Sequence, residues 1–310
     1  MIYTVTLNPT IDRTIHFPAL KIGELNRATD SRTDLSGKGI NVSVTLGRFG
    51  VETVITGFIA GVYGQVLLEG LRSQGYTCDF TEVAGETRSN ITVIDQATGV
   101  TTKLNEPGPT VTEDDLCAFE ERLVGHIQKG DLCVLSGALP PGAPVDTYAH
   151  LVRAIQAKGG WAALDTSGPA LAEGCRARPD FIKPNFDEAL SLTQNRMDTP
   201  VALVKGLESI LAMGPRRVLL SLGARGAAVA SDDYVWLARP PQIKEVSAVG
   251  AGDALMAGAL WAWEQNLPTE EILRWATAAG TATATEDGTA IPSWERIKQV
   301  YEQVQVTRLK

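Results

Sequence analysis

Cysteine is scarce in these 310 residues: Cys78, Cys117, Cys133 and Cys175 stand far apart, and no two form a C-x-x-C pair. That spacing argues against a disulfide framework or a thiolate metal knuckle and favours reduced thiols in a cytoplasmic protein. Histidine is scarcer still, and His16, His126 and His150 are too scattered to suggest a metal site. Positive charge is in deficit, with 28 Lys and Arg against 36 Asp and Glu and a net charge of −8. A general nucleic-acid binder would show a basic surface, so no nucleic-acid partner is expected, although a local basic pocket for an anionic metabolite stays open. No apolar run approaches the roughly 20 residues of a membrane span. The start, Met1 to Pro9, lacks the basic and apolar regions of an export signal and reads as a first strand. With 44% apolar and 21% charged residues, the chain can bury a sizeable core as one large or two small α/β domains.

One stretch organises the rest. Val249-Gly250-Ala251-Gly252-Asp253-Ala254 is a small-residue turn, followed by the apolar, proline-free run Leu255 to Trp263, which reads as a buried helix. The first N–H groups of such a helix have no intrahelical partner, and the helix dipole adds partial positive charge. With so little side chain at Gly250, Ala251 and Gly252, an anion can approach those amides closely. Asp253 then has two readings, an ordinary helix cap or a general base beside an anion hole.

Earlier in the chain, residues 2 to 7 alternate as a strand that ends at Asn8-Pro9, with Asp12 placed where a parallel strand would open onto a ligand crevice, or in a solvated turn. Residues 14 to 34 have no helical period and suit short strands outside the main sheet. Ser36-Gly37-Lys38-Gly39-Ile40-Asn41 enters a helix. It misses the Walker phosphate loop twice, with Arg32 at the first glycine position and Gly39 at the Ser/Thr position. Lys38 and Asn41 remain as ligand donors, or the segment is a plain strand–helix turn. Runs at 80–83, 88–95 and 100–104 break the βα rhythm and predict a small accessory sheet. From residue 113 the rhythm is regular: four helix–strand repeats predict an α/β fold with a parallel sheet flanked by helices. Short strands in 227–247 suit an antiparallel edge.

Ligands of open α/β sheets bind at the C-terminal strand ends, and here those ends carry Ser136-Gly137, Asp165, Lys183-Pro184-Asn185 and Ser221-Leu222-Gly223. Asn185 and Glu188 share one face at a helix start. Together they could orient water around Mg²⁺ or simply cap that helix.

Five motifs in order, Thr6-Leu7-Asn8-Pro9-x-x-Asp12, Gly37-Lys38-Gly39-Ile40-Asn41, Lys183-Pro184-Asn185-x-x-Glu188, Ser221-Leu222-Gly223-Ala224-x-Gly226 and Gly250-Ala251-Gly252-Asp253, resemble the sugar-kinase family that includes ribokinase. The nearest branch is that of the phosphosugar kinases, the phosphofructokinases and tagatose-6-phosphate kinases. The resemblance covers essentially the whole chain. It implies one ribokinase-like kinase domain over 1–310, a three-layer α/β/α sandwich with a mainly parallel central sheet and a small β-sheet lid from about 11–34 and 86–104. It implies ATP and Mg²⁺, a homodimer through the lid, and a phosphorylated ketohexose as substrate: fructose 1-phosphate first, with tagatose 6-phosphate and fructose 6-phosphate as alternatives.

By the same resemblance, Asp253 would be the base, and the amides of Gly250, Ala251 and Gly252 would stabilise the transferring phosphoryl group. Asp12, Gly37, Lys38 and Asn41 would hold sugar hydroxyls, Arg88 and Lys103 the substrate phosphate, and Ser136-Gly137 would line the sugar site. Lys183, Asn185, Glu188, Ser221, Gly223 and Gly226 would serve the nucleotide and metal side, with Asn185 and Glu188 reaching the metal through water. One departure stands out: many relatives have two glycines before the lysine, whereas this chain has Ser36 then Gly37. A binding regulator that has lost the chemistry is disfavoured by the intact turn at Asp253. A dinucleotide-dependent oxidoreductase is disfavoured because Asn8-Pro9-Thr10 stands where G-x-G-x-x-G should follow the first strand.

Overall fold

The computed structural model describes residues 1–286 and 290–310. Its elements are β1 (Ile2–Thr6), β2 (Thr10–Phe17), β3 (Asp30–Ser36), α1 (Lys38–Arg48), β4 (Thr53–Ile59), α2 (Gly61–Ser73), β5 (Thr77–Glu82), β6 (Arg88–Asp95), β7 (Thr101–Asn105), α3 (Glu113–His126), β8 (Leu132–Ser136) and α4 (Thr147–Ala157). They continue through β9 (Trp161–Asp165), α5 (Gly168–Arg176), β10 (Phe181–Ile182), α6 (Phe186–Thr193), α7 (Pro200–Leu211), β11 (Val218–Ser221), β12 (Ala227–Ser231), β13 (Tyr234–Arg239), α8 (Ala251–Glu264), α9 (Thr269–Thr283), α10 (Trp294–Tyr301) and β14 (Gln305–Arg308). No described helix is long and apolar enough to cross a membrane.

Ten strands form one sheet in the order β14-β13-β12-β11-β10-β9-β8-β1-β4-β5. Neighbours from β5 to β11 run parallel, and β12, β13 and β14 close one edge antiparallel. Both faces of the sheet are covered, as parallel sheets require. Val5, Leu135, Leu164 and Ile182 pack with Phe119, Tyr148, Leu171 and Leu207 of α3, α4, α5 and α7. On the other face Ile2, Val134 and Ala163 pack with Val42 and Leu46 of α1 and Met256 and Leu260 of α8. Neighbouring residues of one strand thus serve opposite layers, and three layers result.

A second sheet, in the order β3-β2-β6-β7, stands apart. Residues 88–95 and 100–104 join it as the broken rhythm predicted, but the run at 80–83 does not. It lies in β5, which extends the main sheet in parallel register with β4 through pairs such as Gly57 with Phe80. The helix that licenses this parallel return is α2, which closes the β4–α2–β5 unit. Asp12 also differs from expectation: it sits inside β2, paired with Asp34 and Asn90, because the chain re-enters strand conformation at Thr10 immediately after the turn at Asn8-Pro9. The terminal pair α10 and β14 had no counterpart in the sequence reading; β14 adds its short strand to the antiparallel edge.

Candidate active site

Polar groups converge on the N-terminus of α8. Gly250 takes φ of +75°, the left-handed region that glycine enters without a side-chain penalty, and the chain turns there into Ala251. No side chain caps this terminus; the Ala251 N–H reaches the Ala248 carbonyl at 3.3 Å, and the amides of Gly252 and Asp253 stay available to an anion. Asp253, in that turn, accepts a hydrogen bond from Asn41 Nδ2 at 2.8 Å. The capping reading is thereby removed. The residue is 7% exposed. Burial, and then the negative charge of Asp165, pushes its carboxyl up to about 6 against the opposing pull of Lys38, Asn41 and Lys183.

Beneath the turn lies Asp165, fully buried at the end of β9. Its Oδ1 accepts from Lys38 Nζ at 2.9 Å, while Lys183 Nζ lies 3.2 Å from Oδ2 without hydrogen-bond alignment. For Lys38, burial lowers the pKa, but the charge and hydrogen bond of Asp165 outweigh it and the net direction is up. Lys183 sits directly under the helix terminus: a Cβ on Gly252 would stand 3.3 Å from its ammonium. One carboxylate therefore holds two ammonium groups against the α8 turn. Asp165 was noted in the sequence only as a strand-end residue, because nothing local marks it out; its partners are remote in the chain.

Lys38 and Asn41 reach this cluster because α1 starts hard against β1. A Cβ on Gly39 would lie 2.6 Å from Thr6 Oγ1 and 2.8 Å from the Val5 carbonyl, an approach that excludes a larger residue. Gly37 opens this helix as its N-cap. Ser136 ends β8 in register with Thr6 and Asp165, and the Gly137 N–H donates to the Asp165 carbonyl at 2.9 Å. The hydroxyls of Thr6 and Ser136 are buried without a partner within the protein, and buried polar atoms left so invite a ligand hydroxyl or water.

The second sheet supplies a different set. Asp12 Oδ1 accepts from Asn90 Nδ2 at 3.1 Å and from Thr10 Oγ1 at 3.2 Å. Arg88 Nη2 donates to the Asn8 carbonyl at 2.9 Å, but its buried Nε has no partner. Burial lowers the Arg88 pKa, partly offset by Asp12. Arg88 borders a cleft of about 530 Å³ with Asn8, Ala138 and Thr166, so Asn8 joins Arg88, as Asn90 joins Asp12, as a polar group to which the motifs assign no role. Lys103 does not join them. It is exposed in β7, paired with Thr92, on the same sheet face as Asp12 but outside the Lys38–Asp165–Asp253 cluster.

On the other side of α8, Ser221, Gly223 and Gly226 border a cleft of about 440 Å³ together with Pro240, Ala251 and Gly252. It therefore reaches the first turn of α8. Asn185 and Glu188 form a reciprocal capping box, each backbone N–H donating to the other's side chain at 2.8 Å. The cap reading is realised, yet the Glu188 charge is still felt at Lys38. Among the described residues no group of three or more His, Cys, Asp or Glu is arranged to hold a metal.

The profile of the pfkB family carbohydrate kinases matches residues 5–296. The chain is 35% identical over 309 residues to a 1-phosphofructokinase of Bacillus subtilis, covering all of both chains. It is 30% identical over 309 residues to a tagatose-6-phosphate kinase of Staphylococcus epidermidis, covering 99% of each. It is similar to the crystal structure of phosphofructokinase-2 from Escherichia coli in complex with substrates and products, with a TM-score of 0.90, 29% identity, and 97% and 98% of the two chains covered.

Proposed function

The chain belongs to the pfkB family of carbohydrate kinases, and from that premise we propose that it transfers the γ-phosphoryl group of ATP to a phosphorylated ketohexose, fructose 1-phosphate first, giving fructose 1,6-bisphosphate and ADP. The carrying observation is a buried carboxylate, Asp253, whose carboxyl is raised to about 6 and which shares a helix turn with uncapped amides above the Lys183 ammonium. A general base needs a pKa close to the working pH, and phosphoryl transfer needs positive charge where the equatorial oxygens gather negative charge.

The sugar hydroxyl attacks the γ-phosphorus while Asp253 takes its proton. The bond from that phosphorus to the β–γ bridging oxygen breaks, and ADP leaves. The amides of Gly250, Ala251 and Gly252, with Lys183, hold the charge of the transferring group. Asp12, Gly37, Lys38, Asn41, Ser136 and Gly137 orient the sugar, and Arg88 receives its phosphate through a fork suited to a dianion. Lys103 is an outer contact for that phosphate. ATP lies along Ser221, Gly223 and Gly226. The oxygens of Asn185 and Glu188 are hard donors that suit Mg²⁺ held through water; Glu188 Oε1 stands outside the capping box. The ion, when bound, neutralises phosphate charge.

The second sheet reads as a lid that excludes water from the transfer. Its face opposite Asp12 and Asn90 carries Ile15, Ile91 and Val93, all half-buried, and Leu104, which is 54% exposed. A second copy would cover this face and make a homodimer. ADP release measured with fructose 1-phosphate, fructose 6-phosphate, tagatose 6-phosphate and free fructose tests the assignment. A clear lead for fructose 1-phosphate is expected; a lead for tagatose 6-phosphate would favour the relative of that name, and a lead for free fructose would contradict the role of Arg88.

A further inference from the structure

At the end of the main sheet opposite the candidate active site, a cleft of about 820 Å³ is bordered by Arg176, Arg178, Arg216, Arg217, Asp232 and Asp233. Four arginines around one cleft stand out in a chain of net charge −8. They are held in different ways. Arg216 Nη1 pairs at 3.1 Å with Asp180, which is 2% exposed and whose other oxygen accepts from the Ala162 N–H at 2.9 Å. Arg176 pairs with Glu173. Arg217 stacks its guanidinium over Trp263 and Phe181, at 4.7 and 5.5 Å from the ring centroids. Its N–H donors find no acceptor among the described residues, and neither do those of Arg178.

Arg178 closes α5: its φ is +57°, the left-handed region in which helices commonly end, its N–H donates to the Cys175 carbonyl at 3.0 Å and its carbonyl accepts from Gln156 Nε2 at 2.9 Å. Its exposed side chain borders the cleft. The acidic pair has a definite place as well. Asp232 and Asp233 form the turn between β12 and β13, whose carbonyls accept from Lys310 Nζ at 3.4 Å and Arg308 Nη2 at 3.3 Å, whereas the arginines flank β10 and β11.

We propose that this cleft is a second binding site, distinct from the candidate active site, for a phosphorylated metabolite whose phosphate is held by Arg178 and Arg217 and whose opposite end offers hydroxyls to Asp232 and Asp233. Arginine forks match phosphate oxygens, and carboxylates accept from hydroxyls. The site is also close to the chemistry along the chain. Only Phe181 and Ile182 separate Asp180, which anchors Arg216, from Lys183 under the α8 turn, a span of about 10 Å in extended chain.

Calorimetric titration with ribose 5-phosphate and with inorganic phosphate, at fixed ionic strength, tests the site in the full chain. Any binding in the catalytic clefts is common to wild type and variant, so the difference between them reads this cleft. Arg178→Gly should abolish one binding event or weaken it at least tenfold, while its melting temperature stays equal or rises because the left-handed position is relieved. Arg178→Asn, which tolerates that backbone region, should lose the same event. Ribose 5-phosphate should bind at least threefold more tightly than inorganic phosphate. Superimposable isotherms for wild type and both variants would overturn the proposal, and equal affinity for the two compounds would overturn the role of Asp232 and Asp233.

Discussion

The floor of the candidate active site and the sheet above it handle charge in opposite ways. In the floor, Asp165 and Lys183 are 0% and 4% exposed and paired with each other, and Asp253 is locked to Asn41. In the second sheet Asp12, Arg88 and Asn90 are only half-buried, and Lys103 stands in solvent. Buried charges in fixed geometry need no reorganisation when charge develops, which is what a transition state rewards. Half-exposed charges on a small sheet suit recognition and closure instead. The floor should therefore govern kcat and the second sheet KM.

The largest effect should come from Asp253→Asn, which keeps the shape and removes the proposed base. Turnover should fall about 10³- to 10⁴-fold while ATP affinity, measured by titration, stays near wild type. The same variant should be more stable at neutral pH. Because the folded carboxyl titrates near 6 rather than at its ordinary value of 3.8, the folded state holds a proton that the unfolded chain has lost between those values. Stability conferred by the proton is thus lost as pH rises through that window and does not return above it. Asparagine has no such penalty, and denaturant midpoints at pH 5 and 7.5 would show the gap between variant and wild type widening at the higher pH.

Asp165→Asn strikes the floor's stability next. It leaves buried Lys183 without its counter-charge, at a cost of about 3 kcal/mol, visible as a lower denaturant midpoint together with weaker turnover. Arg88→Ala tests the other side of the comparison. KM for the phosphorylated sugar should rise about tenfold or more, with kcat changed far less and free fructose unaffected. An equal fall in kcat would move Arg88 into the floor's class. Lys103→Ala is the smallest: an exposed charge without an internal partner is worth little, and a change of KM within about threefold is expected.

The floor was more legible in the sequence than the sheet above it, for physical reasons. Gly250 to Asp253 is a contiguous turn whose chemistry is local, and Gly37 to Asn41 announces a helix start in the same way. Asp165 has no local signature; its meaning arises when β9 ends beside Lys38 and Lys183, which lie far away in the chain. The run at 80–83 is ambiguous in sequence because a short apolar strand looks alike in either sheet, and only the α2 crossover decides that β5 pairs with β4. Asn185 and Glu188 left capping and metal binding open by spacing alone. The capping box is now visible, and Glu188 Oε1 stands outside it. Arg178 carries no local signature, because the cleft it borders is assembled from β10, β11 and the β12–β13 turn only on folding.

The most direct test of Asp253 as the base is the pH dependence of kcat in wild-type protein with saturating ATP, Mg²⁺ and fructose 1-phosphate. A rate that climbs with the deprotonated fraction through about pH 6 and is flat above 7, with that limb absent from the residual activity of Asp253→Asn, is the expected result. A wild-type rate that does not change between pH 5 and 8 would contradict it.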